Sequence, residues 1–160
     1  MYKTTILEAP FVKIHPSSGS QFQIFMGRLL SLIPKLRIPG SQLKRDLLTR
    51  DAEIKKRWAA DPLQKPADIF AGTAGSFLRV ADAFDTWLKD KQVNFSFFMA
   101  IGDSDYACEP QACIDFYEQS ATPANLKQLR VYKGAYHTLK YDPRAPEFFQ
   151  DVLDWVKKFL

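Results

Sequence analysis

Two short stretches of this 160-residue chain carry the residue types of acid–base chemistry. One is GDSDYACEP, residues 102–110, in which Asp105 lies three positions after Gly102. The other is VYKGAYHTLKYD, residues 131–142, in which His137 lies three positions after Gly134. Each glycine ends an apolar run, so both side chains are expected just past the C-terminal end of a strand. In doubly wound α/β sheets the reactive groups collect at that edge. The 32 positions between Asp105 and His137 (137 minus 105) suit one helix and one strand, which places the pair over neighbouring parallel strands. A carboxylate there can accept the imidazole Nδ1–H, fix the tautomer and stabilise the imidazolium, leaving Nε2 as a general base. The plainer alternative is a turn aspartate and a loop histidine, and Asp103 competes with Asp105 for any role.

Three strands must hold such a pair. YKTTILEAP (residues 2–10) favours a strand through its Thr, Ile and Leu residues and is ended by Pro10. VNFSFFMAIG (93–102) is a nearly continuous apolar run, and LKQLRVYKG (126–134) is the third candidate. Continuous apolar runs that alternate with helices indicate buried parallel strands rather than hairpins. A helix is expected over 109–121, with Glu109 and Pro110 suited to its first turn. A final helix places Phe148, Phe149, Val152, Leu153, Val156 and Phe159 at helical spacing, with Glu147 early and Lys157 and Lys158 at its end.

Residues 11–92 read differently. QFQIFMGRLLSLIP (21–34) is apolar nearly all round, and Pro34 and Pro39 break the chain after it. Further helices are expected near 50–59 and 77–90, the latter with Phe77, Leu78, Ala81, Phe84 and Leu88 on one face. An insert of this length between parallel strands exceeds a crossover and suggests a cap or lid.

Composition excludes several classes. With 46% hydrophobic and 25% charged residues the chain is globular and can bury one core. The net charge of +4 is spread out. The most basic stretch, KRDLLTRDAEIKKR (44–57), interleaves acids and reads as a solvated helix face, so no nucleic-acid partner is expected. No stretch has the pattern of a signal peptide or the length of a membrane span. Cys108 and Cys113 stand without a second pair to complete a zinc site, and no metal or disulfide framework is expected. Two reduced cysteines fit an intracellular protein.

ILEAPF, ADPL, IGDSD and VYKGAYH occur in this order, with the helical insert between the first and third. This arrangement resembles the C-terminal half of an α/β-hydrolase of the monoacylglycerol lipase/lysophospholipase type, the serine aminopeptidase-like group. The resemblance implies a partial α/β-hydrolase fold with three C-terminal parallel strands, crossover helices and a helical lid. It implies Asp105 as triad acid, His137 as triad base, and residues 11–92 as a lid that covers an acyl tunnel and touches lipid surfaces. The implied substrate is a lipid-like carboxylic ester, no cofactor is called for, and the expected location is cytoplasmic or peripheral to a membrane.

The fold orders its triad Ser, then Asp or Glu, then His, with the serine in a G-x-S-x-G elbow. No such elbow occurs in the 160 residues; SSGSQ (17–21), TAGSF (73–77) and GDSDY (102–106) all fail the pattern. Ser104 shares a turn with the acid and cannot replace an elbow serine. The His-Gly loop that contributes to the oxyanion hole is absent too, and in the family both precede the strand that ILEAP matches. Losing one triad member leaves roughly 10³–10⁴-fold catalysis over water, carried by the oxyanion hole and binding. A chain without nucleophile and hole is therefore expected to be inactive alone, with the serine supplied elsewhere. Its first strand, lacking an inner neighbour, is expected to favour association. Two alternatives stand beside this: a non-catalytic lipid- or partner-binding protein, and an unrelated small α/β domain whose Asp and His are structural.

Overall fold

Phe97–Gly102 (β2) is the middle strand of a three-stranded parallel sheet, and all six of its residues are buried. The computed structural model describes residues 3–13, 28–41, 44–63 and 67–160. Thr5–Glu8 (β1) pairs with β2 on one side, and Lys127–Tyr132 (β3) pairs with it on the other. The register sets Ala100 between Glu8 and Arg130, and Gly102 beside Tyr132. A parallel strand with a neighbour on each side and a layer on each face has no solvated surface, which explains its unbroken apolar sequence.

The period-2 alternation of β2 divides the core. Phe97, Met99 and Ile101 face a cluster with Val12, Val93, Ala112, Cys113 and Phe116. Phe98 and Ala100 face the opposite cluster with Tyr132, Ala135, Leu139, Phe148 and Trp155. Among the described residues the longer helices are Ala52–Ala60 (α1), Ala71–Lys89 (α2), Pro110–Gln119 (α3) and Ala145–Lys157 (α4), of which the last three pack on the sheet. The end of α2, through Phe84 and Leu88, joins α3 on the first face, and α4 covers the second.

Local chemistry accounts for the element boundaries. Asp51 caps α1, its side chain accepting from the Ile54 amide at 2.9 Å. Pro110 opens α3 as the sequence anticipates, and Glu147 and Lys157 sit at the ends of α4 that their charges favour. The α2 helix starts at Ala71, earlier than the expected 77. Gly72 and Gly75 look like breakers in sequence, yet they let the 31–34 segment press against the helix: a Cβ at Gly72 would meet Pro34, and one at Gly75 would meet Ser31.

On α4 the sequence stripe is wider than the face it buries. Phe148 is buried and Val152 and Phe159 pack on the core, but Phe149 and Leu153 are exposed, because a sheet of three strands covers only one side of the helix. Trp155, outside the expected stripe, is the large buried residue, with its indole N–H donated to Thr4 Oγ1 at 2.8 Å. The expected all-round apolar helix at 21–34 lies outside the described residues up to 27; beyond that, Leu29, Leu32 and Ile33 are exposed.

Candidate active site

Beyond their last paired residues, β2 and β3 are tied together by the loops that carry Asp105 and His137. The Asp103 amide donates to the Tyr132 carbonyl at 3.3 Å, and the Ser104 amide to the Ala135 carbonyl at 3.1 Å. Gly134 reverses the chain with φ +71°, and its amide donates to Asp103 Oδ1 at 2.6 Å. Gly102 is required here for space: a Cβ would collide with the Ala135 and Tyr136 carbonyls. A glycine at the end of β2 thus lets the histidine loop cross directly over it.

The two aspartates have separate tasks. Asp103 is exposed and holds the loops together through Gly134 and the Ser104 hydroxyl. Asp105 is buried, 3% exposed, and its Oδ1 accepts the amides of Ala107 at 2.7 Å and Cys108 at 3.1 Å. Its Oδ2 lies 2.8 Å from His137 Nδ1. Two backbone donors on one oxygen and imidazole on the other leave a buried carboxylate well satisfied. Of the two, Asp105 meets the histidine.

His137 retains 27% side-chain exposure. Burial by itself would lower its pKa, but the hydrogen bond it donates to Asp105, joined by the one with Cys108, outweighs that and raises it above the ordinary 6.5. With Nδ1 committed to the carboxylate, Nε2 is the nitrogen left to exchange a proton with a substrate or nucleophile. Tyr106 and Tyr136 stack edge to face at 5.4 Å, one from each loop.

Two features escaped the sequence reading. The first is Cys108, whose sulfur lies with Asp105 and His137 in a group of potential donor atoms all within 4.8 Å of one another. The Asp-x-x-Cys spacing was its signal: an aspartate that accepts the amide three positions on folds that residue back beside its own carboxylate.

The second is a clasp between residues 48–50 and the loop after His137. The Thr138 amide and hydroxyl both donate to the Leu48 carbonyl, at 2.9 and 2.7 Å. Thr49 is fully buried and donates its hydroxyl to the Tyr141 carbonyl at 3.1 Å. Arg50 forms two parallel 2.8 Å bonds to Asp142, whose side chain is only 1% exposed. Arg50 and Asp142 are 92 positions apart, so no local pattern announces them.

The family model described as "Serine aminopeptidase, S33" matches residues 1–144. The chain belongs to that family. Among its relatives, the rat protein named "Monoglyceride lipase" is 24% identical over 151 residues, covering 92% of this chain and 46% of the relative. The crystal structure of Paleococcus ferrophilus monoacylglycerol lipase superposes with a TM-score of 0.82 at 22% identity, over 96% of this chain and 58% of that one. A soluble variant of Saccharomyces cerevisiae monoglyceride lipase, in complex with a substrate analog, gives 0.81 at 18% identity, over 97% and 55%. The fold is a partial α/β-hydrolase fold, and this family member spans about half the length of these relatives. Among the described residues, no helix is long and apolar enough to cross a membrane.

Proposed function

We propose that this α/β-hydrolase chain carries the acid and base of a serine esterase acting on lipid-like esters, of the monoacylglycerol or lysophospholipid class. The observation that carries the reading is the 2.8 Å contact of His137 Nδ1 with the buried, twice amide-bound Asp105, at the ends of adjacent parallel strands. Asp105 orients the ring. His137 Nε2 takes the proton of a serine as its Oγ attacks the ester carbonyl, passes it to the leaving alcohol, and repeats the exchange with water. No G-x-S-x-G elbow lies in these 160 residues, so in this reading the serine and oxyanion donors are supplied from elsewhere. Residues 11–92 serve as the lid, and exposed Leu29, Leu32, Ile33 and Leu36 supply its contact with a lipid surface.

The test supplies the missing elements. The chain is mixed with, or fused after, the elbow-bearing part of a monoacylglycerol lipase, and release of fatty acid from a monoacylglycerol is followed. Recovered turnover that His137→Ala abolishes supports the proposal. The same exposed apolar side chains favour a second reading, a lipid-binding protein without catalysis. That reading predicts acyl-chain binding by the chain alone, unchanged by His137→Ala, and no turnover in the mixture.

A further inference from the structure

The triad reading leaves one buried reactive group beside the pair without a task. Cys108 is 5% exposed and unbridged, and its sulfur, an Asp105 carboxylate oxygen and a His137 ring nitrogen all lie within 4.8 Å of one another. We propose that Asp105, Cys108 and His137 bind a zinc-class divalent cation through one oxygen, one sulfur and one nitrogen, with a fourth position open to water. Binding requires neither serine nor turnover. Its consequence, withdrawal of the acid–base pair from hydrolysis, rests on the function proposed above.

The donor set decides the class of ion. Thiolate and imidazole select zinc, cobalt and their neighbours, whereas magnesium and calcium take oxygen donors. Tetrahedral zinc, with bonds of about 2.0–2.3 Å, sets its ligands ~3.3–3.8 Å apart. The widest separation here therefore has to close by roughly 1 Å, and the 2.8 Å Asp105–His137 contact has to open by about half that. One arm is already held: the amides of Ala107 and Cys108 fix Asp105 Oδ1 and leave Oδ2 to turn toward an ion. On binding, Cys108 gives its thiol proton to solvent and His137 coordinates as the neutral ring. The partly exposed side of His137 is the way in, since Asp105 and Cys108 are both buried.

Cys113 provides the internal control. Burial pushes its thiol up to about 12, and its sulfur contacts the Pro10 carbonyl at 3.4 Å, outside the donor group. The reduced 160-residue protein is titrated with Co²⁺, and the near-ultraviolet thiolate-to-cobalt absorption is followed. One equivalent of cobalt is expected to produce the band and Zn²⁺ to displace it. Cys108→Ser should remove the band while Cys113→Ser keeps it. Asp105→Asn and His137→Ala should weaken binding by at least the roughly 10–100-fold that loss of an outer partner costs.

Three results overturn the site: no band in the wild-type protein, a band that follows Cys113, or a band indifferent to both Asp105 and His137. Should a variant not fold, X-ray absorption of the zinc-loaded wild-type protein decides, because a first shell lacking either sulfur or imidazole nitrogen excludes it. Inhibition is read separately in the complemented lipase assay, with and without Zn²⁺. Cobalt binding without turnover would sink the hydrolase reading and leave the metal site standing; turnover without binding would do the reverse.

Discussion

The chain from Val93 onward and the stretch from Arg28 to Gln92 are built on different terms. The first holds the middle strand, most of both core clusters and the Asp105–His137 pair, and its large side chains interlock across the sheet. In the second, among the described residues, only Thr49, Ala71, Gly75 and Leu78 are buried. Its hold on the histidine loop combines polar bonds at Leu48, Thr49 and Arg50 with an edge-to-face contact of Trp58 on Tyr141. One region is specified by packing; the other joins it through the end of α2, at Phe84 and Leu88, and through this fastening. The fastening falls on the loop that follows His137, so this segment and the histidine share a mounting.

Removing the packing should have the largest effect. Trp155→Ala empties a site that is 2% exposed and removes the indole bond to Thr4, and about 3–5 kcal/mol of stability is expected to go, measured by urea unfolding. Removing the fastening should cost less and act locally. Arg50→Ala leaves the buried Asp142 carboxylate unpaired, but Arg50 is a third exposed, so water offsets part of the loss and about 1–3 kcal/mol is expected. Hydrogen exchange should show the Thr138 amide losing protection while β2 amides keep theirs. Equal loss at both places would mean that the two regions form one cooperative unit.

A pH series sharpens the contrast without altering the clasp. The folded pKa of His137 is raised, so the pair's stabilisation is fully present below the unfolded value of about 6.5 and is lost as pH rises toward the folded value. One group changes stability by at most about 1.4 kcal/mol per pH unit, and His137→Gln should flatten that slope. The smallest effect belongs to the exposed surface of the covering segment. Leu32→Ser, at a side chain 79% exposed, should shift stability by no more than about 0.5 kcal/mol.

The same division governs what could be read from sequence. The middle strand, the two glycine-ended loops and the contact of Asp105 with His137 are legible because each is encoded locally, by an apolar run, a turn residue and a fixed offset. Trp155 falls outside the run of most apolar positions at helical spacing, which includes Phe149 and Leu153, both exposed in the fold. The start of α2 was hidden by Gly72 and Gly75, whose role is set by a segment some forty positions upstream. Arg50 and Asp142 carry no periodicity, and only the folded chain brings them together. Cys108 has no second cysteine pair in sequence to announce it, and its neighbours are a carboxylate and an imidazole that the fold brings in.

The 92-position reach of the Arg50–Asp142 clasp also imposes an order on synthesis. At roughly 5–20 residues per second a ribosome takes on the order of 5–20 s to add those 92 residues. Throughout that interval the segment around Leu48 has been made and its fastening has not. The apolar side chains between Leu29 and Leu36, exposed even in the finished fold, belong to a stretch made earlier still, so this part of the chain waits longest for the loop that fastens its neighbours.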